Sequence, residues 1–558
     1  LWALLYDLFW VTLYPVLWWR RSRPCPRGAW LRIELDGALP EITPPPPWWA
    51  RSAPHSLEEL RRLASMTIAD PRVAGWLVEV RSFAGGAVSA TALRRVLATV
   101  RAGGKRVVVY LPNGGGTRVT AIASVADRVL VGPHSHLAPL GFAVESHYLA
   151  EALDRIGVEP EVLARGRYKS AGERLVSRSM SEPQREQLTA LLEVAHDELI
   201  TALAEGRGVS REQAERWVDE GPFPARAAVA AGLADAEAYG DELPERLDPR
   251  GTGPATMLGA RKYARRRGRA LLAPWARPHV AVLELAGPIV QSAPWAALPV
   301  ATDAAFARAV ERVREERAAR GVILLVSSPG GSVLASDRML HELRRLAATK
   351  PVVACLGDVA ASGGYLVALG AHSIVAEDAT ITGSIGVVAV RMAFSALLAR
   401  LGISVQVVKR GERADLGSPS RRLTDGERVA LERELADVYD DFVGEVARAR
   451  GLPLEAILPH AEGRVHSGRA ARSLGLVDHL GGFPRAVAEV RQRLGPGGER
   501  LPVRAATRDR LPWTIPRPGA LGVLGRWAAA SELAPALAVG GERTWLWCAV
   551  DLVDTGQR

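Results

Sequence analysis

The chain repeats itself. At an offset of 245 residues, Lys105-Arg-Val-Val-Val-Tyr-Leu lies over Lys350-Pro-Val-Val-Ala-Cys-Leu, and Ala84-Gly-Gly-Ala-Val-Ser-Ala lies over Pro329-Gly-Gly-Ser-Val-Leu-Ala. Arg155-Ile-Gly-Val lies over Arg400-Leu-Gly-Ile, and Gly141 over Gly386. An offset that barely drifts means two copies of one supersecondary unit, which limits the chain to tandem domains of one kind. Within each copy, β-branched stretches (Val107–Leu111, Val352–Leu356) alternate with helical ones (Ala90–Ala102, Ala335–Ala348). That alternation predicts βαβ units and a layered α/β fold. Two longer runs, Gln184–Leu203 and Gly426–Val446, carry apolar residues at i, i+3, i+4 spacing and read as amphipathic helices.

The copies differ where chemistry is expected. The second has Gly-Asp-Val-Ala-Ala-Ser-Gly-Gly-Tyr at 357–365, preceded by Ser-Pro-Gly-Gly-Ser-Val at 328–333. The first stretch presents Ser362 between strand-like Val352–Leu356 and the apolar run Tyr365–Leu369. The glycines let another backbone approach closely. A helix start there offers free N–H groups to a developing oxyanion. No base stands nearby: His372, ten residues on, would lie about 15 Å away along a helix. In the first copy Ser362 falls on Thr117, and in the second Lys169, from Gly166-Arg-Tyr-Lys-Ser-Ala, falls on Ala414. One copy has a serine without a lysine and the other a lysine without a serine, which points to one composite site. Alone, a glycine pair after a strand is a tight turn and such a lysine is a solvated charge. Their joint presence in related copies gives them weight.

With Thr-Gly-Ser-Ile-Gly-Val at 382–387 added, these motifs make the chain resemble the signal peptide peptidase A (protease IV) family in its long, tandem form. That family groups serine–lysine proteases of the Clp/crotonase superfamily. The similarity covers residues 29–495. The resemblance implies Ser362 as nucleophile, Lys169 as general base, and the backbone N–H groups of Gly331 and Gly363 as oxyanion donors. Ser384 is the candidate acceptor that orients the lysine. A lysine acts as a base only when neutral, which burial or nearby positive charge favours. The sequence departs from the family pattern at Ser327, where asparagine is more usual, and after Lys169, where Ser-Ala-Gly-Glu-Arg replaces Glu-Pro-Phe.

The implied fold class is α/β: two tandem Clp/crotonase-like βαβ domains behind an N-terminal apolar membrane-associating helix. The expected divisions are 1–28 (apolar segment), 29–242 (first repeat, with the lysine), 243–277 (linker), 278–495 (second repeat, with the serine) and 496–558 (extension). The resemblance also implies peptide substrates such as cleaved signal peptides, a homo-oligomer, and a bacterial inner-membrane location facing the periplasm. No cofactor or metal is expected. The rival readings are a crotonase-like acyl-CoA enzyme and a non-catalytic membrane scaffold.

Composition adds limits. The 558 residues, 48% of them hydrophobic, suffice for two sizeable cores. A net charge of +10 and the basic run at 261–269 suit a solvated helix face or anionic lipid. No nucleic-acid motif accompanies them, so no nucleic-acid partner is expected. Three separated cysteines give neither a disulfide framework nor a zinc spacing. Leu1–Trp19 is apolar apart from Asp7 and is followed by Arg20, Arg21 and Arg23. It suits a spanning anchor of about 20 residues or an interfacial helix. The flanking arginines favour a cytoplasmic downstream side, opposite to the side implied by the resemblance.

Overall fold

A computed structural model describes residues 25–43, 55–247, 253–267, 278–291, 300–506, 545–547 and 553–554. The N-terminal apolar stretch expected to meet a membrane lies outside these residues, as does most of the C-terminal extension. Among the described residues no helix is long and apolar enough to cross a membrane.

The chain forms two compact units: 1–143 with 195–277 and 553–558, and 144–194 with 278–552. The segment 144–194, which by sequence belongs to the first repeat, is thus part of the same unit as the second repeat. The first unit is built on a six-stranded parallel sheet in the order Ala236–Glu237, Arg128–Val131, Arg106–Leu111, Val73–Val80, Ala29–Leu35, Met257–Gly259. Its inner strands are near-continuous buried runs, as a sheet covered on both faces requires.

The second unit repeats this plan and adds to it. Its main sheet runs Val465–Ser467, Ile381–Gly383, Val352–Ala361, Ala319–Ser328, His279–Ala286, Val503–Ala505, with Ser373–Ala376 also paired to Val352–Ala361. A further sheet runs Ala301–Thr302, Ile289–Val290, Gly330–Ser332, Trp545–Trp547, Val387–Ala393, Glu159–Arg165. In it Glu159–Arg165 lies antiparallel to Val387–Ala393, from Val387↔Arg165 to Ala393↔Glu159. Glu161 pins that pair. Its side chain is 1% exposed, 2.6 Å from Arg391 and 3.1 Å from Arg428. Its carboxylate also accepts from the Leu423 N–H.

The elements follow the repeat closely. Arg128–Val131 and His136–Ala138 match Ser373–Ala376 and Ile381–Gly383 at the same offset. The expected long helices span Glu182–Arg207 and Asp425–Arg450. Thr424 and Glu427 form a capping box on the latter, which ends at Gly451 with φ 63°. One correspondence fails. The strand Glu159–Arg165 maps onto 404–410, which has no regular structure and is exposed throughout.

Candidate active site

Ser362 stands where the strand Val352–Ala361 turns into the helix Gly363–Ala368, with φ 55° and ψ −118°. A non-glycine residue at positive φ costs about 1–3 kcal/mol and persists only where its surroundings impose it. Here the Ser362 N–H donates to Gly383 O at 2.8 Å, and its carbonyl accepts from the Leu366 N–H at 2.8 Å. The next two residues are glycines with little room for a side chain. A Cβ on Gly363 would lie 2.4 Å from Ser336 Oγ, and one on Gly364 would lie 2.6 Å from Ser328 O. Ser362 itself is fully buried.

The sequence-predicted residues converge. Lys169 follows the strand Glu159–Arg165, is 5% exposed, and belongs to the second unit together with Ser362. Its Nζ lies 2.8 Å from Ser362 Oγ, and 3.0 Å from both the carbonyl and the hydroxyl oxygen of Ser384. Ser384 also sits at positive φ, 54°, and donates its N–H to Arg464 O at 2.7 Å. Gly331 has φ 152°, and a Cβ on it would fall 2.0 Å from Ile289 O. A Cβ on Gly363 would lie 3.4 Å from Gly331 N, so the two expected oxyanion amides are neighbours. Ser328 Oγ accepts from the Gly330 N–H at 3.2 Å and braces that turn.

The slot beside these glycines holds an extended chain. Trp545–Trp547 runs antiparallel to Gly330–Ser332, with Gly331↔Leu546, and Val388↔Trp545 joins it to Val387–Ala393. The backbone edge next to Ser362 therefore accepts a polypeptide strand.

Nearby histidines serve elsewhere. His372 Nδ1 accepts from the Val352 N–H at 3.1 Å. His466 is buried, with Nε2 2.9 Å from His460 O, and desolvation pushes its pKa down to about 4.

Sequence reasoning missed the turn at 462–464, which touches both the Lys169 loop and the Ser384 turn. The Glu462 carbonyl accepts from the Tyr168 N–H at 2.7 Å, and its carboxylate accepts from the Arg167 N–H at 2.8 Å. A Cβ on Gly463 would fall 2.6 Å from Lys169 Cβ, and the Gly463 N–H donates to Ile385 O. Of the four non-glycine residues at positive φ among those described, Ser362, Ser384 and Glu462 are all here. Strained backbone of this kind gathers where geometry is imposed for function. No motif marks Glu462; the Gly463 behind it is the one available sign of a tight approach.

Residues 99–250 and 344–495 each match the model described as Peptidase family S49, and the two matches are separated by the repeat's own step. The chloroplastic serine protease SPPA of Arabidopsis thaliana is 32% identical over 434 residues, 76% of this chain and 64% of its own length. A putative protease of Methanocaldococcus jannaschii is 38% identical over 183 residues, 33% of this chain and 59% of its own. Protease 4 of Haemophilus influenzae is 26% identical over 439 residues, 76% of this chain and 70% of its own. The chain thus spans 64% and 59% of the first two relatives. With both copies matched in one polypeptide, the chain belongs to peptidase family S49, a family of serine proteases, in its tandem form.

Proposed function

We propose that the protein is a serine endopeptidase working through a Ser362/Lys169 dyad. The observation that carries the reading is the 2.8 Å approach of Lys169 Nζ to Ser362 Oγ, with both residues buried. Desolvation favours the neutral amine that the role needs. Such an amine donates to the Ser384 carbonyl and hydroxyl and turns its lone pair to the Ser362 hydroxyl. Lys169 takes that proton as Oγ attacks the scissile carbonyl carbon. The oxyanion forms against the N–H groups of Gly331 and Gly363; losing one such donor typically costs about 10²–10³ in rate. Lys169 then protonates the leaving amine; water, deprotonated by Lys169, attacks the acyl carbon, the acyl–Oγ bond breaks, and Oγ takes its proton back from Lys169.

A slot that accepts the strand Trp545–Trp547 supports an extended peptide as substrate. Cleaved signal peptides or similar short apolar peptides fit the family resemblance. Leu1–Trp19 supports membrane association; a catalytic unit on the periplasmic side of a bacterial inner membrane rests on the family resemblance, against the arginines that follow the segment. Exposed apolar residues support self-association: Ile403, Val405 and Val407 are about half exposed and Val408 fully so. Val405, Val407 and Val408 occupy the second-repeat counterpart of the paired lysine strand, and Ile403 stands just before it.

Fluorophosphonate labelling of wild type, Ser362→Ala and Lys169→Ala, with the modified peptide mapped, tests the dyad. Labelling at Ser362 that vanishes in both variants is the expected result. Folded wild type that does not label overturns it.

A further inference from the structure

The loop that carries Lys169 is gripped from behind by one side chain. Gln187, on the helix Glu182–Arg207, is 2% exposed. Its Nε2 donates to Tyr168 O and to Ser170 Oγ, each at 3.2 Å. Its Oε1 accepts from the Val465 N–H, also at 3.2 Å. Tyr168 and Ser170 flank Lys169 in sequence. Val465 pairs with Gly383 across the sheet, and the carbonyl of Arg464 next to it receives the Ser384 N–H. One buried amide therefore ties both neighbours of the lysine to the strand that positions Ser384.

The chemistry of the clamp is specific to an amide. It needs two N–H donors and one acceptor at a single position, which glutamine supplies. An ionised glutamate supplies only acceptors, and methionine, similar in length, supplies no N–H donor. The outer face of the same loop is held differently, by Tyr168 Oη donating to Glu186 at 2.8 Å and by the Arg464 guanidinium stacked 4.8 Å from the Tyr168 ring. The first of those contacts is exposed, and both act on the Tyr168 side chain rather than on the Tyr168 carbonyl or the Ser170 hydroxyl. Gln187 fixes them from the buried side.

We propose that Gln187 is a positioning residue for the general base: it holds Lys169 in register with Ser362 and Ser384 without touching substrate. This rests on the Ser362/Lys169 reading.

The test compares wild type, Gln187→Met, Gln187→Glu, Ser170→Ala and Lys169→Met. The substrate is a short apolar peptide ending in a chromogenic amide, and a fluorophosphonate probe counts active sites. Rates per titrated site exclude unfolded protein from the comparison. Gln187→Met is expected to lower kcat by about 10–100-fold, the cost of a small misplacement of a reacting group, with KM unchanged. Gln187→Glu is expected to move the acid limb of the pH–rate profile upward, because a carboxylate beside the loop favours the ammonium form. Ser170→Ala, which removes one of the three contacts, is expected to show a smaller fall in kcat and keeps the test open if Gln187→Met does not fold. Wild-type kcat and a wild-type acid limb in the Gln187 and Ser170 variants, with Lys169→Met inactive, overturn the role of Gln187. A Lys169→Met protein that still labels at Ser362 overturns the dyad instead.

Discussion

The two repeats treat the same turn in opposite ways. In the second, Ser362 caps a helix at φ 55° and its hydroxyl faces Lys169. In the first, Thr117 is the opening residue of the helix Thr117–Ser124, capped by Gly116 at φ −79°, and its buried hydroxyl donates to Gly141 O at 3.1 Å. The position of Ser384 shows the same contrast. Its counterpart is Pro139, whose ring locks φ near −65° and excludes the conformation at 54° that aims Ser384 at the lysine. The counterpart of Lys169, Ala414, is exposed. One copy has a relaxed turn whose hydroxyl is already satisfied; the other holds two strained serines around an amine. Strain and chemistry coincide in the second copy and are both absent from the matching turn of the first.

The comparison breaks first at the nucleophile. Ser362→Ala or Lys169→Ala should lower turnover by at least about 10⁴-fold with the fold intact, as removal of a nucleophile or its base does elsewhere. Thr117→Ser in the Ser362→Ala background should restore nothing, since that turn lacks the lysine and the positive φ. Recovery of activity in a peptide-cleavage assay would erase the distinction between the copies.

Glu161 and its counterpart Gln406 offer the next largest contrast. Glu161→Ala leaves Arg391 and Arg428 without a buried carboxylate and should cost about 3–5 kcal/mol in urea unfolding. Gln406 is exposed, and Gln406→Ala should stay within about 0.5 kcal/mol. Equal effects would mean that the lysine strand is not anchored as described.

Ser384→Ala should reduce kcat by about 100-fold by releasing Lys169 from one of its two anchoring oxygens on that residue. Ser384→Pro, which copies the first repeat, should do worse because the ring cannot reach positive φ. If Ser384→Pro kept wild-type kcat, the backbone conformation would not matter.

A smaller effect concerns acid. His466 titrates at 6.5 in the unfolded chain and at about 4 when buried. The unfolded state therefore binds the extra proton first as pH falls, and stability present above 6.5 is lost progressively down to about 4. The denaturant midpoint should fall across that window and flatten in His466→Gln. The smallest change in the folded chain itself should come from Val405→Asp with Val407→Asp. This pair is expected to lower the mass measured by light scattering while leaving unit stability unchanged; an unchanged mass removes these residues from self-association.

Much of this was legible before the structure. The strand Val352–Ala361, the helices Val333–Ala347 and Asp425–Arg450, and the serine turn were visible because each rests on a local period or a glycine signature. Lys169 was visible through the gap it fills in the repeat and through the family resemblance of the motif around it. Glu462, Gly463 and Gln187 were not, since their roles depend on backbone conformation and on neighbours far away in the chain. Nothing in the residue pattern at 159–165 says that it pairs with 387–393 while its copy at 404–410 pairs with nothing.

The sequence by itself determined that there are two copies of one α/β unit, that only the second bears the serine turn, and that only the first bears the lysine. Those are properties of composition and short-range spacing, which the chain carries wherever it folds. The tertiary structure decided that residues 144–194 join the second unit and that Lys169 meets Ser362 across 193 positions. The physical reason is that an antiparallel edge between Glu159–Arg165 and Val387–Ala393 satisfies backbone groups of both strands and buries Glu161 between two arginines. That long-range ladder delivers the amine to the hydroxyl.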